Sequence, residues 1–191
     1  MSQTNSKSRP ELIKALLLTG QSSQWHSWPV SSPFLERLLA DSGSFAVDKL
    51  VSPAAGESFE GFDPKWSDYE VVVLDYEGDA WPETVRRGFE RYMAEGGGLV
   101  IYHATDNAFP DWPEFNEMIG VGGWAGRDES SGPMARWRNG RLELDYDSPG
   151  TATHPKPYEF LVTTRAPDHP IMRGLPSEWL HATDELYSQL R

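Results

Sequence analysis

Three short stretches carry side chains able to bind a metal ion or move a proton. They are "GQSSQWHSW" (20–28) with His26, "DYEGDAW" (75–81) with Asp75, Glu77 and Asp79, and "HATD" (103–106) with His103 and Asp106. Neutral imidazole nitrogens and carboxylate oxygens suit zinc, manganese or iron, and an ion with an open coordination position polarises a carbonyl or activates water. Histidine also exchanges a proton near neutral pH without any metal. His103 and Asp106 match no zinc signature of the HExxH kind, so both chemistries stay open. So does the plain alternative, in which a histidine at a strand end makes only a structural hydrogen bond and Glu77 and Asp79 lie in a solvated loop or cap a helix.

These stretches follow apolar runs. "IKALLLTG" (13–20), "YEVVVLDY" (69–76) and "GLVIYHA" (98–104) are continuous, and "FAVDKLV" (45–51) alternates weakly. Continuous runs predict strands covered on both faces, as in a parallel sheet between helices. Ser32-Pro33 predicts a helix start, with Phe34, Leu35, Leu38 and Leu39 as its stripe and an end near Gly43. From Pro82 to Glu95, Val85, Phe89, Tyr92 and Met93 recur at helical spacing, and Gly96–Gly98 turns the chain into the next strand. That triplet precedes a strand, so a turn explains it better than a phosphate cradle. Asp111 with Glu114 reads as a capping box for a third helix burying Phe115, Met118 and Ile119 and ending at Gly120.

The alternation predicts a doubly wound α/β fold. In such folds ligands bind beyond the carboxyl ends of the strands, where loops distant in sequence converge. His26, the carboxylates of 75–79, His103 and Asp106 all fall on that edge. After residue 120 the chain is rich in Gly, Pro and Trp, and "RLELDYD" (141–147) and "YEFLVTTR" (158–165) predict an antiparallel β extension or lid. Trp25, Trp28, Trp81, Trp112 and Trp124 lie in or near the edge loops, where flat aromatic faces suit pyranose rings, although core packing is the ordinary use of any one of them.

With 191 residues, 38% of them hydrophobic, the chain is long enough for one sizeable core, and residues 12–191 read as a single domain after a disordered tail over 1–11. A net charge of -12 argues against nucleic acid and anionic membranes as partners and leaves a small molecule or a metal ion. The absence of cysteine excludes disulfides, thiolate metal sites and cysteine nucleophiles. No apolar stretch suits a signal peptide or membrane span, which predicts a cytoplasmic protein.

The order of motifs resembles the ThuA-like (trehalose utilisation) proteins. The resemblance rests on "LLLTGQSSQWHSW", "GGGLVIYHATD", "FPDWPEFNEMIGVGGWAGRD" and "DHPIMRGLPSEWLHATDELYSQLR", and runs from Lys14 to Arg191. It implies a flavodoxin-like fold of the class I glutamine amidotransferase type, with a mostly parallel sheet. His103 then stands where that fold carries its cysteine nucleophile, so glutaminase chemistry is not implied. The implied role is carbohydrate metabolism on trehalose or a related keto-glycoside, by a metal-assisted hydrolase, lyase or isomerase, with a non-catalytic sugar-binding protein as the alternative.

By the family's pattern the pocket draws on His26, His103 and the "HATDELY" segment with His181, Asp184 and Glu185. Zinc or manganese would be held by His26, His103 and Glu185, with Glu77, Asp106 or His103 moving the proton. Trp25, Trp28, Trp81, Trp112, His154 and Asp184 would contact the sugar, and Asp184-Glu185 as a surface turn is the competing reading. His169, between two prolines in sequence context, reads as a turn lock. No nucleotide cofactor is expected, and a homo-oligomer is compatible with the sequence. Relatives extend past "DELYSQLR" with a β-rich segment, so the chain is expected to lack a C-terminal piece.

Overall fold

The computed structural model describes residues 11–123 and 127–191. The expected disordered tail, apart from Glu11, and Trp124 therefore lie outside the described residues. The chain folds as two compact units, one ending at Gly120 and the other running Val121–Arg191.

In the first unit four parallel strands form one sheet: β1 (Ile13–Thr19), β2 (Phe45–Val51), β3 (Val71–Leu74) and β4 (Gly98–Ile101), in the order β2-β1-β3-β4. Helices α1 (Trp28–Asp41), α2 (Glu83–Ala94) and α3 (Pro113–Ile119) connect and cover it. The period-two alternation of a strand explains why the runs are apolar throughout. Leu16, Leu18, Val72 and Leu74 point to α2 and α3 and meet Val85, Phe89, Tyr92 and Phe115. Leu17 and Val73 point the other way and meet Leu35 and Leu39 of α1. Both faces of the central strands β1 and β3 are thus buried, and the fold is the doubly wound α/β class expected. Each fully buried leucine contributes roughly 1.5–3 kcal/mol relative to exposure.

The α2 side of the core is aromatic. Trp81 packs on Phe109 (ring centroids 4.9 Å apart), on Tyr76 (5.6 Å) and on Trp112 (6.1 Å). Burial pushes the Tyr76 phenol up from its ordinary value, the nearby Asp79 charge adding to it, so the ring stays neutral and donates to the Asp79 carbonyl at 2.7 Å. The glycine turn before β4 has its own steric reason. Gly96 has φ 91°, and a Cβ on Gly97 would fall on the Tyr92 ring, whose hydroxyl donates to the Gly98 carbonyl at 2.8 Å.

Two helix starts differ from expectation. α1 begins at Trp28, four residues before Ser32, because Pro29 supplies the first-turn proline and Ser22 Oγ, accepting from Trp28 N at 3.3 Å, fixes the entry. Pro33 consequently lies inside the helix. α3 begins at Pro113 with Trp112 in the cap position, so Asp111 caps nothing.

The second unit contains two antiparallel hairpins, β5 (Met134–Arg138) with β6 (Arg141–Asp145) and β7 (Tyr158–Thr163) with β8 (Glu178–Asp184). Asn139-Gly140 joins the first pair with φ values of 51° and 79°, the left-handed pair of a tight hairpin turn. Arg191 is buried and donates to the carbonyls of Gly132, Ser148 and Gly150 at 2.7, 2.6 and 2.9 Å. Among the described residues no helix is long and apolar enough to cross a membrane.

Candidate functional site

All four strands are parallel, so the loops after β1, β3 and β4 leave from one edge of the sheet. After β1, Ser22 holds the loop in shape: its hydroxyl donates to the His26 carbonyl at 3.0 Å and accepts from Trp28 N. After β4 the chain turns through a short 3-10 segment, Thr105–Asn107, and the His103–Ala104 peptide bond is cis. Thr105 is buried, and its hydroxyl donates to the Leu74 carbonyl at 2.9 Å while accepting from Tyr76 N at 2.8 Å. One threonine thereby ties the exits of β3 and β4 together.

His26 and His103 meet there. Their rings stand edge to face with centroids 4.8 Å apart. His103 Nδ1 lies 3.1 Å from Asp106 Oδ1, and the two side chains are 43% and 25% exposed. With Nδ1–H donated to the carboxylate, the basic lone pair of the ring is on Nε2, the arrangement by which a carboxylate orients a catalytic or ligating imidazole.

Glu77 and Asp79 follow β3. Glu77 N donates to the Gln21 carbonyl at 3.1 Å, and Gln21 Oε1 accepts from Asp79 N at 2.8 Å, which locks this loop to the one after β1. Gly78 lies so close to the Gln21 side chain that a Cβ would collide with it. Glu77 Oε2 is shielded from solvent and has no hydrogen-bond partner among the described residues. Asp79 Oδ2 accepts from Gly56 N at 2.6 Å, a structural role. Asp75 is buried and accepts from Ser31 and Ser32 of α1, each at 2.7 Å.

The other sequence candidates lie in the second unit and form their own groups. His154 Nε2 is 3.6 Å from Glu185 Oε1, and Tyr187 Oη donates to Glu185 Oε2 at 2.9 Å. His181 Nε2 is 4.0 Å from Asp184 Oδ2. His169 Nδ1 accepts from Ile171 N at 3.2 Å, the turn lock expected. Among the described residues no three His, Asp or Glu side chains gather as a metal-binding group. His26 and His103 together supply two imidazoles, with Asp106 behind one of them.

The tryptophans divide. Trp25 is 80% exposed beside His26, and Trp28 is half-buried at the start of α1. Trp81 and Trp112 are buried in the aromatic core, although Trp112 also shows an edge to a cavity lined by Gly78, Ala80 and Arg86. Two features escaped the sequence reading: the Thr105 tie and Arg86 in the first turn of α2. Arg86 had one signal, since a cation there opposes the helix dipole.

Two solved structures share this architecture. A ThuA-like protein from Parabacteroides merdae ATCC 43184 is 47% identical, with a TM-score of 0.89 over 95% of this chain and 64% of its own. A ThuA-like protein from Bacteroides uniformis ATCC 8492 is 20% identical, with a TM-score of 0.59 over 97% of this chain and 64% of its own, and shows the fold alone. The chain spans less than two thirds of the length of either. No curated protein matches it significantly. The trehalose utilisation family model, ThuA, matches residues 14–191, and the chain belongs to that family.

Proposed function

We propose that this protein acts on a carbohydrate of the trehalose or keto-glycoside class, as a hydrolase, lyase or isomerase whose proton transfers run through His103. The observation that carries this reading is the meeting of His26 and His103 at 4.8 Å, with Asp106 on His103 Nδ1. His103 Nε2 takes a proton from a sugar hydroxyl or from the carbon beside a sugar carbonyl. Asp106 holds the ring in the tautomer that can accept it and stabilises the imidazolium that forms. His26 stands at the same point and returns a proton to the departing or enolised oxygen. A divalent ion, zinc or manganese, is the alternative occupant of the two imidazoles: when bound it would polarise the sugar carbonyl and take up the His103 Nε2 lone pair, so that the proton would pass to Asp106 instead. His26 and His103 would hold it.

The test is turnover of a panel of trehalose derivatives and keto-glycosides, with sugar binding measured in parallel. His103→Ala is expected to lower kcat about a hundredfold or more, in keeping with loss of a general base, while binding falls little. Unchanged turnover in the variant would remove His103 from the chemistry. A sugar-binding defect in a protein that turns over nothing would favour the non-catalytic, sugar-binding alternative. A rise in Tm with added zinc or manganese, lost in His26→Ala, checks the metal.

A further inference from the structure

Arg86 stands out among the cations of the first unit. Its natural helical partner four residues on, Glu90, is already used: Oε1 accepts from Trp112 Nε1 and Oε2 from Arg87 Nη1, both at 3.0 Å. Glu83, the other acid of this turn, pairs with Arg87 at 3.5 Å. Arg86 makes no ion pair among the described residues, and its Nε–H is shielded from solvent without an acceptor. The guanidinium lies over the Trp112 ring, 5.7 Å from its centroid, a cation–π contact. In a chain of net charge -12, a guanidinium that pairs with no carboxylate among the described residues can still take one from a ligand.

A cavity of about 240 Å³ opens beside it, lined by Gly78, Ala80, Arg86, Phe109, Pro110 and Trp112, with Asp111 at its wall. That volume falls below the range of drug-sized pockets and suits a single six-membered ring. Phe109 holds a left-handed backbone with φ 52°, a conformation costly for an aromatic residue and concentrated at binding sites. Ala80 and Gly78 belong to the loop after β3, so the cavity opens on the same carboxyl edge of the sheet as His26 and His103.

We propose that this cavity binds the carboxylate of an acidic monosaccharide, a uronic or aldonic acid unit, through a paired hydrogen bond from Arg86. The aromatic floor of Trp112 and Phe109 takes the apolar face of the sugar, and Asp111 accepts from its hydroxyls. Asp111, a carboxylate on the same wall that forms no ion pair with Arg86 among the described residues, disfavours a dianionic phosphate more than a monoanion. The inference deepens the carbohydrate reading above by naming the substrate class, and rests on it for the word sugar.

Binding of D-glucuronate to the full chain, followed by titration calorimetry and by Tm, tests it, with D-glucose and inorganic phosphate as comparison ligands. Glucuronate is expected to bind and raise Tm, glucose to bind at least about tenfold more weakly, and phosphate to do neither. Arg86→Gln should weaken glucuronate about tenfold or more. Arg86→Lys keeps the charge but not the fork, so it should fall between, and it serves if the glutamine variant folds poorly. His103→Ala should lose turnover but keep glucuronate binding within a few-fold of the parent, whereas Arg86→Gln should lose the binding itself, which separates this site from the proton-transfer reading. No glucuronate binding, equal affinity for glucose, preference for phosphate, or an Arg86→Gln variant that binds unchanged would each overturn the proposal.

Discussion

Thr105 does more for His103 than any sequence motif predicts. Its hydroxyl is buried between two backbone groups of the neighbouring strand exit, donating to one and accepting from the other. Thr105→Val keeps the shape and leaves the Leu74 carbonyl and Tyr76 amide unmet, which costs roughly 1–3 kcal/mol for each buried group left without a partner. Urea unfolding should show that loss, and turnover should fall with it, because Asp106 is the next residue. In the second unit Asp145 is the sensitive group. Ser148 donates to it through hydroxyl and amide, and Arg136 through Nε at 2.6 Å, holding its carboxyl well below the usual carboxylate range. Because the folded value is depressed, the stabilisation is complete above the ordinary carboxylate pKa of about 4 and is lost as pH falls below it. Asp145→Asn should therefore be less stable than the parent at pH 7 by urea midpoint. Below about pH 4 the difference should shrink.

At the scale of elements, α1 carries a visible compromise. Pro33 is exposed and sits inside the helix, where it can offer no N–H to the turn before it. Pro33→Ala is expected to raise Tm, an effect that differential scanning calorimetry would resolve, with the site untouched because α1 packs on the sheet through Leu35 and Leu39. The strands were legible for a different reason. β1 matches the apolar run at 13–19 because a buried parallel strand has no polar face to blur its limits, and the edge strand β2 matches the weak alternation at 45–51, its Asp48 and Lys49 being exposed. β5 was not legible, since "MARWR" is short and mostly exposed, and only the Asn-Gly turn beside it marked the hairpin. β8 was read only as a motif: its exposed residues alternate without a strong apolar face.

Over the whole molecule, the first unit is organised by the aromatic layer between the sheet and α2. Phe89 is fully buried and touches Trp66, Trp81, Tyr92 and Trp112 at ring-centroid distances of 5.0 to 6.2 Å. Phe89→Ala should cost about 3–5 kcal/mol, because so many rings cannot collapse into the space it leaves. The same layer takes Trp81 out of the sugar-facing set that its loop position predicted, while leaving one edge of Trp112 beside Arg86.

Periodicity and composition alone determined the α/β class, the parallel sheet and the edge on which His26 and His103 emerge, since each follows from local rules of burial and strand polarity. The tertiary structure decided which groups meet. It brought two imidazoles 77 positions apart to 4.8 Å, placed Glu185 with His154 in the other unit, and left Arg86 without a partner on its own helix. Those outcomes depend on loop paths and on competition among side chains for the same acceptors, which no local pattern in the chain encodes.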